Sequence, residues 1–218
     1  KRRRGIARRR YPLSDKRRNS GNNGPMFLSL DGIDGVGKST QIELLRQWLQ
    51  TQGHDVLTCR DPGSTDLGES VRGILLGHHD TPVARRSEIL LYMAARAQLV
   101  EEVIRPALAA NQTVLCDRFL LANVVYQGYG GGLDIDELWT VGKIATEGMH
   151  PTHTFVLDLP ADVAFSRMQG QPDRMEKRGI EFMAKVRDGF LSEAQKHPDR
   201  MHVVNADASI EVIHQRIR

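Results

Sequence analysis

A glycine-rich segment limits the folds open to this chain more than any other part of its sequence. Residues 32–40, GIDGVGKST, fit the pattern GxxxxGK[ST] and lie between a short apolar strand predicted over 26–31 and a helix predicted over 38–52. Glycines let backbone N–H groups surround an anion, and the N-terminus of the following helix adds partial positive charge. We expect Lys38 to reach the β- and γ-phosphates of a nucleoside triphosphate and the Ser39 hydroxyl to ligate Mg²⁺. The predicted phosphate-binding residues are Gly32, Asp34, Gly35, Val36, Gly37, Lys38, Ser39 and Thr40.

The rest of the chain alternates between short apolar strands and amphipathic helices. Further strands are predicted over 56–59, 113–116, 154–159 and 201–204, and further helices over 67–76, 84–110, 134–149, 161–168, 180–196 and 210–217. The long helix is expected to bend near Pro106, because proline has no N–H to donate within a helix. Strands separated by helices indicate an α/β domain, here a three-layer P-loop NTPase fold in which helices flank a five-stranded parallel sheet. The run YGGG at 129–132 follows no strand, so we expect a flexible loop there rather than a second phosphate site.

Composition excludes several classes of protein. The chain has 218 residues, of which 40% are hydrophobic and 26% charged, and this is the usage of one globular domain rather than of a wholly disordered chain. No run of 18 apolar residues occurs, so we expect no membrane-spanning helix. The two cysteines, Cys59 and Cys116, form no CxxC pair, which argues against a disulfide framework and against a zinc site. This usage favours a reducing compartment, and we expect a cytoplasmic protein.

The positive charge of the chain is concentrated at its N-terminus. Residues 1–18 contain ten Lys or Arg and one Asp, which leaves 20 basic and 26 acidic residues from position 19 onward. We expect a basic disordered tail over 1–25 and a folded domain over 26–218. Two interpretations of the tail stay open: a solvated extension, or an arm that binds nucleic acid or an anionic membrane. The acidic balance of the remainder argues against a nucleic-acid partner for the folded domain.

An acidic and a basic residue follow the strand predicted over 113–116. Asp117 stands at the carboxyl end of this strand and Arg118 comes next. Because ligands bind at the carboxyl ends of strands in such sheets, Asp117 could hold Mg²⁺ directly or through water, while Arg118 could clamp a phosphate. The alternative from these residues alone is an ordinary structural ion pair.

Several longer segments together resemble the thymidylate kinase family. They are FLSLDGIDGVGKST from position 27, RDPGST at 60–65, YMAARAQLVEEVIRPAL at 92–108, CDRFLLANVVYQG at 116–128, VLDLP at 156–160 and DRME at 173–176. The resemblance covers nearly 190 residues and leaves out the basic tail. It implies a nucleoside-monophosphate kinase that uses ATP and Mg²⁺ to convert dTMP to dTDP. It also implies a homodimer, for which the helix over 89–108 is the best candidate surface, although a helix buried within one subunit would show the same pattern.

The same resemblance assigns eight residues to dTMP: Asp34, Arg72, Tyr92, Arg96, Arg118, Asn123, Tyr126 and Gln127. Asp34 would contact the sugar 3′-hydroxyl, and Arg72 with Arg118 would grip the acceptor phosphate. Tyr92 and Arg96, one helical turn apart, would stack on the pyrimidine and donate to its O4. Asn123 would read the amide edge of the base, Tyr126 would crowd the sugar 2′ position, and Gln127 would assist in the same pocket.

A catalytic arginine is expected outside the glycine-rich segment. That segment has Gly35-Val36 where some members of the family carry an arginine, and the other class supplies the arginine from a mobile lid. The polar stretch 169–179 between two helices is the predicted lid. Within it Arg174 best matches the lid arginine, so the predicted catalytic residues are Lys38, Arg118 and Arg174. Two rivals stay open: another pyrimidine nucleotide kinase, and a nucleic-acid-associated P-loop NTPase.

Overall fold

The computed structural model describes residues 24–77, 82–168 and 178–218. These residues form a five-stranded parallel sheet in the order β2-β3-β1-β4-β5. The strands are β1 Phe27–Asp31, β2 Val56–Arg60, β3 Thr113–Asp117, β4 His153–Asp158 and β5 Met201–Asn205. The expected α/β fold with helices on both sides of a parallel sheet is confirmed. The tail expected over 1–25 and the lid expected over 169–179 fall outside the described residues, except for positions 24, 25, 178 and 179.

Helices separate every pair of consecutive strands. They are α1 Lys38–Thr51, α2 Asp66–Leu76, α3 Arg85–Leu99, α4 Arg105–Ala109, α5 Leu120–Asn123, α6 Ile135–Thr146, α7 Ala161–Arg167, α8 Ile180–Lys196 and α9 Ile210–Ile217. In the parts of the chain that the structure describes, no helix is both long enough and apolar enough to cross a membrane.

The helix predicted over 84–110 is interrupted just before its proline. A π-helical turn, Val100–Ile104, joins α3 to α4, and the N–H of Arg105 donates to the carbonyl of Val100, five residues back. Pro106 has no N–H and its ring crowds the preceding turn, so a locally wider helix accommodates it. The sequence predicted the interruption; its π-helical form is a structural finding.

The loop predicted at 129–132 is wrong for its first two residues. Tyr129 and Gly130 end a π-helical segment, Val124–Gly130, that packs against α8. The Tyr129 hydroxyl lies 2.7 Å from Glu193 Oε1, and a Cβ on Gly189 would meet the Tyr129 ring at 2.6 Å. Close helix packing therefore explains these glycine and tyrosine positions better than a requirement for flexibility does.

The sheet brings two sequence-distant segments together at one edge. β1 lies between β3 and β4, and all three strands run in the same direction, so the residues after β1 and β3 meet at the carboxyl edge of the sheet. In open parallel sheets a ligand site forms where connections leave the central strands in opposite directions. The glycine-rich segment follows β1 and Arg118 follows β3, so the fold places both of them at this edge.

Candidate active site

One cavity of about 410 Å³ opens at this edge of the sheet. The residues predicted from the sequence that line it are Asp34, Gly35, Gly37, Lys38, Ser39, Thr40, Arg72, Tyr92, Arg96, Asp117, Arg118, Asn123, Tyr126 and Gln127. Of the other predicted residues, Gly32 and Val36 shape the loop without lining the cavity, and Arg174 lies outside the described residues. A single cavity thus brings together the residues assigned to phosphate and those assigned to dTMP.

Glycine is required in the phosphate loop by both conformation and space. Gly35 has a φ of 82°, and a Cβ there would lie 2.2 Å from the carbonyl oxygen of Ala164. Gly32 has a φ of 133°, and its Cβ would lie 2.6 Å from the carbonyl oxygen of Leu157. Since L side chains rarely adopt such φ values, these contacts and angles together exclude other residues at both positions.

Lys38 is held by its own loop. Its Nζ donates to the carbonyl oxygens of Ile33 at 2.8 Å and Gly32 at 3.2 Å, and it lies 3.7 Å from Asp34 Oδ1. Burial lowers the pKa of Lys38 to about 8, with a further contribution from Arg118, while the nearby carboxylates oppose the shift. The ammonium group is therefore positioned in advance at the start of α1, where a bound phosphate would replace neutral carbonyls as its partner.

Asp34 joins three side chains at the phosphate end of the cavity. Arg118 Nη2 donates to Asp34 Oδ1 at 2.5 Å, and the Tyr126 hydroxyl donates to Oδ2 at 3.0 Å. Burial by itself would raise the pKa of Asp34, but Arg118 and Lys38 outweigh it and lower that pKa to about 2. The Arg118 guanidinium also lies over the Tyr126 ring, 5.1 Å from its centroid. Asp34 thus stays ionised and fixes both neighbours.

The turn after β3 presents Arg118 to the cavity. Arg118 has a φ of 65°, an uncommon value for a residue with a side chain, and its backbone N–H donates to the carbonyl oxygen of Leu30 at 3.0 Å. This bond ties the turn to the neighbouring strand. Strained backbone geometry of this kind recurs at functional sites.

A buried carboxylate at the end of β1 was not singled out from the sequence. Asp31 is fully buried; its Oδ2 accepts from Ser29 Oγ at 3.2 Å, and its Oδ1 has no hydrogen-bond partner among the described residues. Burial raises the pKa of Asp31 to about 7, although Arg118 and Lys38 oppose the shift. The only sequence signal for it was an acidic residue that ends a predicted buried strand.

The other end of the cavity is built around a buried arginine. Arg96 is 1% exposed, its Nε donates to Asp61 Oδ2 at 2.5 Å, and its Nη1 donates to Asn123 Oδ1 at 3.0 Å. Its guanidinium carbon lies 5.7 Å from the centroid of the Phe119 ring. Tyr92 and Arg96 both line the cavity from α3, as their spacing predicted. The acidic partner of Arg96 could not be chosen from the sequence, because many carboxylates were available.

Arg72 lines the cavity from α2. Its Nη1 donates to the carbonyl oxygen of Pro62 at 3.0 Å. Burial lowers the pKa of Arg72, and the neighbouring positive charge of Arg60 acts in the same direction. Arg60 itself pairs with Glu69 at 2.8 Å. Arg72 and Arg118 thus line the same cavity.

Five further residues line the cavity without having been given a role from the sequence: Arg60, Asp61, Pro62, Leu76 and Ala122. The first three belong to the RDPGST segment, whose resemblance to the family implies no role for these single residues. Leu76 and Ala122 carry no chemical signal, and only the packing of their helices brings them to the cavity.

Comparison with known proteins agrees with this geometry. A sequence model described as thymidylate kinase matches residues 30–217 of the chain. The thymidylate kinase of Rhodopirellula baltica is 50% identical over 191 residues, which cover 88% of this chain and 78% of that relative. The thymidylate kinase of Kosmotoga olearia is 43% identical over 194 residues, which cover 88% and 93%. The crystal structure of thymidylate kinase from Ehrlichia chaffeensis superposes with a TM-score of 0.72 at 33% identity, covering 89% of this chain and 97% of that one. The chain belongs to the thymidylate kinase family.

Proposed function

We propose that this chain transfers the γ-phosphoryl group of ATP to dTMP and produces ADP and dTDP for dTTP synthesis. One observation supports this most strongly: a single cavity is lined by a phosphate loop, by Arg72 and Arg118, and by a buried Arg96 beside Asn123. A nucleoside triphosphate fits the first part, a monophosphate group the second, and a pyrimidine edge the third.

Transfer between two phosphates needs little covalent chemistry from the protein. The acceptor phosphate already carries anionic oxygens, so no side chain has to remove a proton from it. Catalysis then rests on alignment of donor and acceptor and on neutralisation of the charge that spreads over the transferred group. In this proposal Lys38 and Arg118 supply positive charge, and Arg72 holds the acceptor. Arg174 in the lid is the proposed further source of positive charge.

The residues at the phosphate end fit a hydrated Mg²⁺ ion. The Ser39 hydroxyl and the Asp117 carboxylate both line the cavity. Within the described ranges, no cluster of three or more His, Cys, Asp or Glu residues could hold a metal by itself. This sparse oxygen donor set suits Mg²⁺, which usually keeps several waters and binds through one or two carboxylates together with substrate phosphates. We propose that Ser39 and Asp117 hold the ion, which when bound supplies positive charge near the transferred phosphoryl group.

Selection of thymine and deoxyribose is assigned to the other end. Arg96 can only donate, so it suits O4 of thymine and opposes the 4-amino group of cytosine. Tyr92 offers an aromatic face to the base, and Asn123 offers an amide to its amide edge. Tyr126 lies beside Asp34, the proposed partner of the sugar 3′-hydroxyl, where its ring would crowd a 2′-hydroxyl. Gln127 supports Asn123 from behind.

A homodimer is the proposed assembly. α3 packs against both α2 and α6 within the chain, and Leu67, Leu90 and Ile144 on these three helices remain exposed. Leu90 is 61% exposed and Ile144 is 74% exposed, so a second copy could cover them. Light scattering on the wild type should give the mass of a dimer, and Leu90→Asp should give the mass of a monomer.

The two free cysteines, Cys59 and Cys116, agree with the cytoplasmic location that we propose.

An ADP-release assay over a panel of acceptors tests the reaction. The panel contains dTMP, dUMP, dCMP, AMP and thymidine, with single-stranded DNA as a separate addition. We expect dTMP to be the best acceptor, thymidine to be inactive because it has no phosphate for Arg72 and Arg118, and DNA to have no effect. A best acceptor of dCMP or AMP would contradict the proposal, and ATP hydrolysis stimulated by DNA would favour the nucleic-acid-associated rival.

A further inference from the structure

A series of hydrogen bonds between buried polar side chains runs from Glu88 on α3 to the end of the cavity that Arg96 and Asn123 line. This end is called the base end. Gln127 Nε2 donates to Glu88 Oε1 at 2.9 Å, Asn123 Nδ2 donates to Gln127 Oε1, and Arg96 Nη1 donates to Asn123 Oδ1 at 3.0 Å. Each of these four side chains is at most 4% exposed. Glu88 does not line the cavity, and the sequence had given it no role.

The chemistry of the two ends fixes the direction of this series. Arg96 can only donate hydrogen bonds, so the Asn123 atom that faces it must be the oxygen. The Asn123 nitrogen then faces Gln127, whose facing atom must be an oxygen, and the Gln127 nitrogen faces Glu88. An ionised Glu88 can only accept, so it demands the same orientation from the opposite end. Arg96 and Glu88 therefore require the same orientation of the Asn123 and Gln127 amides.

The two charged ends are each compensated. Asp61 faces Arg96 at 2.5 Å, and Arg178 Nη2 lies 3.5 Å from Glu88 Oε2. The Arg178 guanidinium carbon also lies 4.8 Å from the centroid of the Phe182 ring. Glu88 therefore uses one oxygen for this series of hydrogen bonds and directs the other toward a positive charge.

We propose that Glu88 is a positioning residue for base selection and acts through Gln127 on Asn123. This inference rests on the proposed function. With Asn123 Oδ1 directed toward Arg96, this corner of the cavity presents guanidinium donors beside an amide acceptor. That pattern complements O4 and N3–H of thymine, whereas cytosine offers a donor at the 4-position and an acceptor at N3. To accommodate cytosine the amides would have to reverse, and Glu88 opposes the reversal because it cannot donate.

Substitution of Glu88 by its neutral isostere tests the role. Gln at position 88 can accept or donate, so Glu88→Gln should lower the dTMP to dCMP ratio of kcat/KM by about five- to tenfold. The KM for dTMP should rise by a similar factor, while kcat and the KM for ATP should change by less than twofold. Glu181→Gln, the same substitution at an exposed glutamate of α8, is the matched control and should leave the ratio unchanged.

A second variant tests whether Glu88 acts through Gln127. It also keeps the inference testable if Glu88→Gln does not fold. Gln127→Leu removes the link, so it should lower the ratio by itself, and Glu88→Gln added to Gln127→Leu should lower it no further. A normal ratio in Glu88→Gln or in Gln127→Leu, or two effects that multiply in the double variant, would overturn the inference. The wild type separates this outcome from failure of the proposed function: if the wild type does not prefer dTMP, the function is wrong; if it does, only the role of Glu88 is in question.

Discussion

The two ends of the cavity are built in different ways. At the phosphate end, Lys38, Asp34 and Arg118 hydrogen-bond to one another or to loop carbonyls. They lie at the first residue of α1, in the loop after β1 and in the turn after β3. At the base end, Arg96 and Asn123 come from separate helices and are held by buried partners on both sides. The phosphate end holds charges that can exchange partners with a substrate, whereas the base end holds polar groups that are already fixed.

This difference predicts a division of roles. Charges that can transfer their interactions to a developing negative charge affect the rate of reaction for every acceptor. Groups that are locked before the substrate binds affect mainly which acceptor is accepted, because a wrong base leaves them unpaired. Variants at the two ends should therefore differ in kind as well as in size.

The largest effect is expected for Lys38→Ala and Arg118→Ala. Each removes a positive charge near the transferred phosphoryl group, and each should lower kcat about a hundredfold or more, which corresponds to about 3 kcal/mol of transition-state stabilisation. Thermal melting of the same samples checks that both variants fold. Turnover close to that of the wild type in either variant would show that the substituted residue does not stabilise the transferred phosphoryl group.

The pH dependence of kcat/KM should also arise from the phosphate end of the cavity. Because the pKa of Lys38 is lowered to about 8, its positive charge is present below that pH and is lost above it. In kcat/KM for ATP we expect a flat region up to pH 8 and then a fall of about tenfold per pH unit. The dTMP to dCMP ratio should stay constant between pH 7 and 9. A rate that remains flat to pH 9.5 would show that Lys38 does not titrate in this range.

Tyr126 lies between the two ends and should show both kinds of effect. Tyr126→Phe keeps the ring and loses the hydrogen bond to Asp34, and it should cost about 1 kcal/mol, or about fivefold in kcat/KM for dTMP. Tyr126→Ala should cost more and should also raise the relative activity with ribo-TMP, because it opens space near the sugar. If Phe and Ala variants discriminate equally against ribo-TMP, the ring does not guard the 2′ position.

The smallest effect is expected outside both ends. Residues 1–24 have no apolar pattern that could pack on a core, so their removal should leave the melting temperature and the kinase rate unchanged within error. A large fall in either quantity would show that the tail contacts the domain. A gel-mobility assay with DNA at physiological salt, with and without the tail, distinguishes the nucleic-acid arm from a solvated extension.

The same contrast explains how much of the site could be predicted from sequence. The phosphate loop was predictable because its chemistry lies in one contiguous segment, and Asp117 and Arg118 were predictable because they stand at the carboxyl end of β3. The parallel sheet followed from the alternation of apolar strands and amphipathic helices. Residue types in short, continuous segments therefore carried most of this information.

The base end could be predicted only as a set of residues. The family resemblance brought in Arg96, Asn123 and Gln127, but it did not indicate the ion pair with Asp61 or the hydrogen bond from Gln127 to Glu88. Those two pairs join residues 35 and 39 positions apart in different segments of the chain, and tertiary packing alone selects them among many carboxylates. Likewise, Leu76 and Ala122 reach the cavity by packing, for which single residue types give no signal.

In this account the phosphate end sets the reaction rate and the base end selects the acceptor. The ratio of kcat/KM for dTMP to kcat/KM for dCMP tests this division most directly. In the wild type we expect kcat/KM for dTMP to exceed that for dCMP by at least about tenfold, since an unpaired buried donor costs about 1–3 kcal/mol. Ser39→Ala, at the phosphate end, should lower both values by the same factor and leave the ratio unchanged. Arg96→Lys keeps the positive charge beside Asp61 but loses the planar fork, so it should lower the ratio about tenfold. A ratio that falls in Ser39→Ala, or that is unchanged in Arg96→Lys, would contradict the account.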